Sequence, residues 1–454
     1  MSLTVIAFWI IYLLGVGAAL MTPLVGVLLY ILIYHLNPEY QWWGESVRVL
    51  GLRTSMTIVI ATVAGIVLRF PRFEKHGSQA PLPIVLGIML VIWACMSMAW
   101  GYGASDRGIY MAEKIIKVMI FILIMIRCVR EPQHYHLFVI VWLCGVFYIG
   151  YQAYGNVGTH ISGRLAHGIG GPDFAESSGL AVHLVSVLPL IGAMFFLSRC
   201  WWIRALILLT GALTINTLIM TRTRNAIVGV IAMVVVAMFS LPRGYRRKGW
   251  LAIAVGLFLS FYLTDSGWWS RIETITNYKS DPSATSRIAY WGAAIRMVQD
   301  YPMGIGLGNF HHVIQDYTPN LHKIRAAHST YFAGLAELGY PGFTLLMLVI
   351  FTALWRLTRI RKQASQFDSD IPVQIGRLKM RFHLGWHAMA LRVSLCGYLA
   401  CGNFTTRLWT EDFWIMIGMV CCLSNITKYM RAEAHVTRTP LVDLPMRSPT
   451  LETT

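Results

Sequence analysis

Residues 201–240 read WWIRALILLTGALTINTLIMTRTRNAIVGVIAMVVVAMFS. Two apolar runs, 201–220 and 225–241, flank the short link Thr221-Arg222-Thr223-Arg224. Each run is about long enough to cross ~30 Å of hydrocarbon as a helix rising 1.5 Å per residue. A barrel strand would alternate apolar with polar residues, and these runs are continuously apolar. The stretch is a pair of membrane helices joined by a turn that carries two arginines.

The same pattern recurs along the chain. Residues 3–36 are mostly apolar but too long for one span, and Met21-Thr22-Pro23 interrupts them, so two short helices and a tight turn are expected. Further spans fall near 54–70, 81–100, 110–128, 135–154, 178–198, 248–264, 328–355, 384–401 and 410–428. Of the 454 residues, 56% are hydrophobic and 13% charged, where a soluble domain carries about 25% charged. The expected fold is all-α, a polytopic transmembrane helical bundle of about 12 or 13 spans. It divides into a transmembrane bundle over 1–264, a loop over 265–327 and C-terminal transmembrane helices over 328–430. A polar tail over 431–454, rich in Thr, Pro and Arg, is expected to be disordered. The first apolar run has no basic region before it and no small-residue cleavage site, so it reads as a retained span.

The net charge of +17 would suggest nucleic acid in a soluble protein. Here the basic residues cluster in every second loop, as the positive-inside rule requires, so no nucleic-acid partner is expected. The clusters are Arg69 to Lys75, Arg127 with Arg130, Arg199 with Arg204, Arg243 to Lys248, and Arg356 to Arg381. That orientation leaves the tail in the cytoplasm. It sends 37–53, 101–109, 155–177, 221–224, 265–327 and 402–409 to the opposite, periplasm-like face, with Trp42 and Trp43 as interfacial anchors. The eight cysteines lie in or beside apolar runs without metal-ligand spacing, and read as core fillers.

Arg222 and Arg224 lie where positive charge is normally scarce. One reading is snorkelling to the interface or contact with lipid phosphate. The other is a substrate anion site, since guanidinium binds phosphate with a planar fork and Arg224 would open a helix whose amides also favour an anion. The segment Ala284–Phe343 offers a second concentration of chemistry. Arg287 opens SRIAYWGAAIRMVQD, where Ile288, Trp291, Ile295 and Val298 mark one apolar face of an interfacial helix capped by Ser286. Gly304, Gly306 and Gly308 allow a tight turn but form neither a dinucleotide fingerprint nor a P-loop.

His328 stands at the start of the next span, where a helix dipole disfavours the imidazolium and suits a general base near neutral pH; a satisfied polar residue is the plainer reading. Glu337, nine residues on, would lie on the opposite face and about 13.5 Å deeper, so it is expected to pair with a polar group on a neighbouring helix. Asp173, with Arg164 nearby in the 155–177 loop, is a further candidate substrate contact. His311, His312 and His322 show no ligand spacing with a carboxylate, and no metal site is expected. Asp368-Ser369-Asp370 has the form of a metal–nucleotide motif but sits in a basic loop, and reads as solvated.

Together these residues resemble the O-antigen ligase and O-antigen polymerase superfamily. The likeness rests on Arg224 with Arg222 beside it, and on a large loop carrying Arg287, Trp291, Pro302, Gly304, Gly306 and Phe310. It closes on His328, Tyr331, Leu335, Glu337, Gly339 and Gly342. Ser329 stands where many relatives have Asn. NPEYQWWG and SLCGYLACGNF look most like the exosortase-associated O-glycosylation ligases.

The resemblance implies a GT-C-like, metal-independent, inverting glycosyltransferase of the bacterial inner membrane that needs no cofactor. Its donor would be a glycan on undecaprenyl diphosphate, and its acceptor a hydroxyl of a lipid A core sugar or of a protein, at the periplasmic face. His328 would deprotonate or orient that hydroxyl. Arg224 and Arg287, with Arg222, would stabilise the leaving diphosphate, and Tyr331, Arg164 and Asp173 would contact substrate. Polymerisation of lipid-linked repeat units shares this donor chemistry. A transporter of an anionic precursor is the reading from another class, though no internal repeat of the kind transporters carry is visible.

Overall fold

The computed structural model describes residues 3–69, 80–155, 157–161, 163–167, 169–264, 282–319, 326–366, 370–375 and 378–436. Helix dominates, as the hydropathy requires. The N-terminal apolar stretch divides into α1 (Leu3–Met21) and α2 (Pro23–Leu36), with Pro23 in the first turn of α2, where a missing N–H costs nothing. The short α3 (Glu45–Val49) leads to α4 (Thr54–Leu68), α5 (Leu82–Met96), α6 (Asp106–Cys128) and α7 (Pro132–Tyr154). Ser105 caps α6 by accepting from the Gly108 amide at 3.2 Å.

A hairpin follows, β1 (Thr159–Ile161) paired antiparallel with β2 (Arg164–His167), then α8 (Ser177–Leu197), α9 (Trp201–Thr221), α10 (Arg224–Ser240) and α11 (Arg246–Leu263). Two non-spanning helices, α12 (Pro282–Asp300) and α13 (Phe310–Tyr317), precede α14 (Thr330–Ala364). The chain closes through β3 (Asp370–Ile375), β4 (Leu378–His383), α15 (Leu384–Cys401) and α16 (Glu411–Val436).

Each of the thirteen expected spans corresponds to a helix among the described residues. Seven are long and apolar enough to cross a membrane, and α4 and α10 are shorter apolar helices. The chain is an all-α polytopic membrane protein. Depth in the bundle does not follow hydropathy: α8 and α16 bury 72% and 83% of their spanning windows, whereas α1, as apolar as α8, buries 22%. A helix that is apolar all round belongs in the interior or against lipid. Accordingly α8 sits among α7, α9, α10 and α15, while α1 packs on α2 and α4.

Three of the basic segments gather at one end. Ser198 bridges to Met380, and the Arg361 guanidinium donates to the Ser240 carbonyl, so the 198–204, 240–248 and 356–383 segments meet there. The Arg222–Arg224 link, the start of α14 and the 402–410 loop lie at the other end.

Several local expectations are corrected. The α12 helix opens at Pro282, so Ser286 lies inside its first turns and not at its cap. Its buried face is Tyr290, Ala293, Ala294, Met297 and the expected Val298, each at most 1% exposed, whereas Ile288 and Ile295 point outward. Small alanines let α12 approach its neighbours closely, which a ranking by hydrophobicity misses. Trp42 is exposed but Trp43 is buried against Phe8, its indole N–H 3.3 Å from the Tyr148 hydroxyl.

Both hairpins were unforeseen. In the second, Val373, Met380 and Phe382 turn inward while Pro372 and Gln374 face out. Asp370, expected in a solvated loop, pairs with Arg381 across that hairpin; Asp368, Ser369 and His322 lie outside the described residues. The eight cysteines are free. The expected disordered tail begins as helix, because α16 continues to Val436; residues 437–454 lie outside the described residues.

Candidate active site

The Arg222–Arg224 link is a tight turn between α9 and α10. Arg222 adopts a left-handed backbone, φ 47° and ψ 44°, and its amide closes α9 on the Ile219 carbonyl at 3.0 Å. Such a conformation is uncommon outside glycine. Arg224 is the first residue of α10, where unpaired helical amides and the dipole favour a nearby anion.

The β1–β2 hairpin folds over this link. Arg164 Nε donates to the Thr221 carbonyl at 2.9 Å, and its guanidinium also reaches the Ser177 hydroxyl. At the hairpin turn, Gly163 has φ 72°, and a Cβ there would come within 2.9 Å of Arg222 Nη2. The hairpin therefore sets Arg164 and Arg222 side by side, both half-buried.

His328 also adopts a left-handed backbone, φ 47°. It precedes α14: Ser329 is the N-cap, accepting from the Phe332 amide at 3.4 Å, and the helix begins at Thr330. His328 and Glu337 therefore do not share one helical register, contrary to the sequence reading. The half-buried His328 is held through its neighbours. The Thr330 amide donates to the Gly402 carbonyl at 2.8 Å, the Thr330 hydroxyl to the Thr405 carbonyl at 2.9 Å, and the Tyr331 hydroxyl to the Leu399 carbonyl at 2.9 Å. Tyr331 thus spends its O–H on the backbone of α15.

That end of α15 is where the two clusters meet. Cys401 Sγ donates to the carbonyl of Asn225, the residue after Arg224, at 3.3 Å. Within Leu399–Gly402, α15 therefore anchors both the arginine turn and the histidine segment. Arg287 joins from α12. Trp291, one turn further along the same face, donates its indole N–H to the Ala327 carbonyl at 3.1 Å and stacks on Phe332 at 5.1 Å. The half-buried Arg287 is thereby carried beside the chain that leads into His328.

The glycine turn explains how this loop is fixed to the bundle. The α14 helix breaks at Gly339, φ 66° and ψ −170°, just before Pro341, which frees carbonyls of the preceding turn. The glycine turn supplies the missing donors: Ile305 N–H to Ala336 O at 3.0 Å and Gly306 N–H to Glu337 O at 3.1 Å. Trp93 satisfies Leu338 O at 2.8 Å. Backbones approach so closely that a Cβ at Gly304 would lie 2.4 Å from Glu337 O, and one at Gly339 2.3 Å from Pro302 O. The buried Glu337 carboxylate accepts from the amides of Gly308 and Phe310, the latter at 3.4 Å. Its hydrogen bonds come from this turn, while the Arg107 guanidinium of the neighbouring α6 also acts on its charge. The α13 helix carries His311 and His312, and no group of ligands fit to hold a metal occurs among the described residues.

Asp173 lies elsewhere, at the centre of a buried ionic network. Its carboxylate takes Lys114 Nζ, the Glu411 amide at 3.0 Å and the Tyr34 hydroxyl at 3.5 Å. Arg407, 7% exposed, donates to the Asp173 carbonyl at 2.7 Å and to Asp412 at 3.3 Å. The Arg407 amide in turn donates to the Thr330 hydroxyl at 3.0 Å, which ties the network to the histidine segment. Sequence reasoning passed over Arg407 and Asp412, although ionisable residues beside an apolar run are themselves a signal of a buried pair.

Residues 209–347 match the family model described as O-antigen ligase. This domain supports membership of the O-antigen ligase superfamily. The ligase segment runs from within α9 into α14, and holds Arg222, Arg224, Arg287 and His328 together with the glycine turn and the break that receives it. Arg164 and Asp173 lie outside it. No curated protein matches the chain. The domain supports a membrane enzyme of the O-antigen ligase and polymerase type, a family that implies lipid-linked glycan substrates and acceptors.

Proposed function

We propose that this chain is a GT-C-like membrane glycosyltransferase that moves a glycan from undecaprenyl diphosphate to an acceptor hydroxyl, on a lipid A core sugar or a protein. The observation that carries the reading is the convergence of the Arg222–Arg224 turn and the His328 segment on one end of α15, between Leu399 and Gly402. A site for this reaction needs cations that grip a departing diphosphate and a proton acceptor for the attacking hydroxyl.

In this mechanism His328 takes the hydroxyl proton or aligns the oxygen lone pair. The oxygen attacks the anomeric carbon from the face opposite the diphosphate, with inversion, and the C–O bond to the diphosphate breaks. Arg222, Arg224 and Arg287 neutralise the charge that develops on the leaving group, with Arg164 beside them. A preorganised donor of this kind is worth about 10²–10³ in rate. Tyr331 acts through placement, because its hydroxyl is engaged on α15. The site works at the periplasmic end of the bundle, away from the basic loops.

The test is transfer from purified lipid-linked glycan to candidate acceptors, followed by product mass. A glycan on a non-lipid-diphosphate acceptor supports ligase chemistry, and growth on a second lipid-linked unit identifies a polymerase. Movement of donor across the bilayer without a new glycosidic bond overturns the transferase reading. Activity that persists unchanged in His328→Ala, Arg224→Ala and Arg287→Ala also overturns it. EDTA is expected to leave the rate unaltered.

A further inference from the structure

We propose a second site, a cleft between α4 and α6 that binds a membrane lipid through a phosphodiester headgroup. The cleft lies at the same end of the bundle as the arginine–histidine cluster but in a different wall. It has a volume of about 510 Å³, within the range of an ordinary ligand pocket, and its floor is formed by Tyr30 of α2 and Glu411 of α16.

Its two halves differ in chemistry. The polar half carries Arg53, Glu113, Lys114 and Lys117; the last three share one stretch of α6, on a helix of membrane-spanning length. The apolar half is walled by Met56 and Ile60 of α4 and Ile120 of α6. These are 47%, 58% and 45% exposed, so the wall is continuous with the apolar exterior and the cleft opens sideways. A cavity polar at one end, apolar along its length and open to hydrocarbon fits an amphiphile and not a free ion.

Charge selects the headgroup. Arg53 and Lys117 share a single carboxylate: Arg53 Nη1 lies 3.9 Å from Glu113 Oε1, and Lys117 Nζ also contacts that oxygen. All three side chains are about half-exposed or more, at 72%, 49% and 54%. Exposed pairs of this kind contribute little to stability, so one cation can exchange its partner at small cost. Deeper in, Lys114 is committed to Asp173, and the Tyr30 hydroxyl donates to Glu411 at 2.9 Å. The mouth therefore holds one positive charge in excess, which a phosphodiester matches and a diphosphate exceeds.

This site goes beyond the proposed transfer reaction and shares no residue with it, so lipid retention and glycan transfer are read separately. The experiment is native mass spectrometry of the full chain, delipidated in detergent and titrated with phosphatidylglycerol, diacylglycerol or inorganic phosphate. One phosphatidylglycerol is expected to be retained, without comparable binding of diacylglycerol or phosphate. Arg53→Glu with Lys117→Glu should weaken retention at least about tenfold, and so should Ile60→Trp with Ile120→Trp, which fills the apolar half and leaves the charges intact. Arg246→Glu, at the opposite end of the bundle, should leave retention unaltered. Retention that survives both paired variants, phosphate bound as tightly as the lipid, or a polyprenyl diphosphate held in preference to phosphatidylglycerol would each overturn the proposal.

Discussion

His328 holds a left-handed backbone immediately before the N-cap of α14. Holding a non-glycine residue there costs about 1–2 kcal/mol. His328→Gly is expected to relieve that strain, leaving the unfolding midpoint unchanged or slightly raised, while transfer falls about 10²–10⁴-fold if the imidazole handles the proton. A variant that loses stability and activity together would point to a structural role instead. Arg287→Lys keeps the charge but not the fork, and is expected to lower kcat/KM if the diphosphate is held by paired hydrogen bonds. Gly163→Ala tests the hairpin from the other side. The added methyl meets both a positive φ and the Arg222 guanidinium, so weaker donor binding is expected, seen as a raised KM in the transfer assay.

At the scale of elements, the pairing of the glycine turn with the broken α14 holds the α12–α13 segment to the bundle. Gly339→Ala places a Cβ 2.3 Å from Pro302 O at φ 66°, and is expected to cost more than about 2 kcal/mol and to abolish transfer, read by thermal unfolding and assay together. Glu337 allows a finer comparison. Glu337→Gln keeps an oxygen for the Gly308 and Phe310 amides, whereas Glu337→Ala leaves buried donors without an acceptor, at about 1–3 kcal/mol each. Ala should therefore lower the unfolding midpoint well below Gln. This arrangement was half legible beforehand. Gly304-Ile305-Gly306-Leu307-Gly308 announces a turn, but nothing in it says that a helix break in α14 would receive that turn.

For the whole molecule, the Asp173–Arg407–Asp412 network joins α16 and the 155–177 loop to the histidine segment. Removing one member of a buried ion pair leaves its partner uncompensated, at about 3–5 kcal/mol. Arg407→Met should thus be strongly destabilising, and Arg407→Met combined with Asp412→Leu less so, as measured by the unfolding midpoint in detergent. Equal loss in both variants would show that Arg407 contributes through its backbone-directed contacts alone.

The sequence by itself determined the membrane class and the places of the apolar helices, because apolar length is a local property that one segment carries alone. It also marked Arg222, Arg224, Arg287 and His328 as candidates for chemistry, through their types and their positions beside apolar runs. Tertiary structure decided which of them meet. Arg407 and Asp173 are 234 positions apart, and Asn225 and Cys401 are 176 apart. No periodicity encodes a contact at that separation. The left-handed turns, the paired glycine segment and the buried carboxylates exist only once distant backbones are packed closely enough to supply each other's hydrogen bonds.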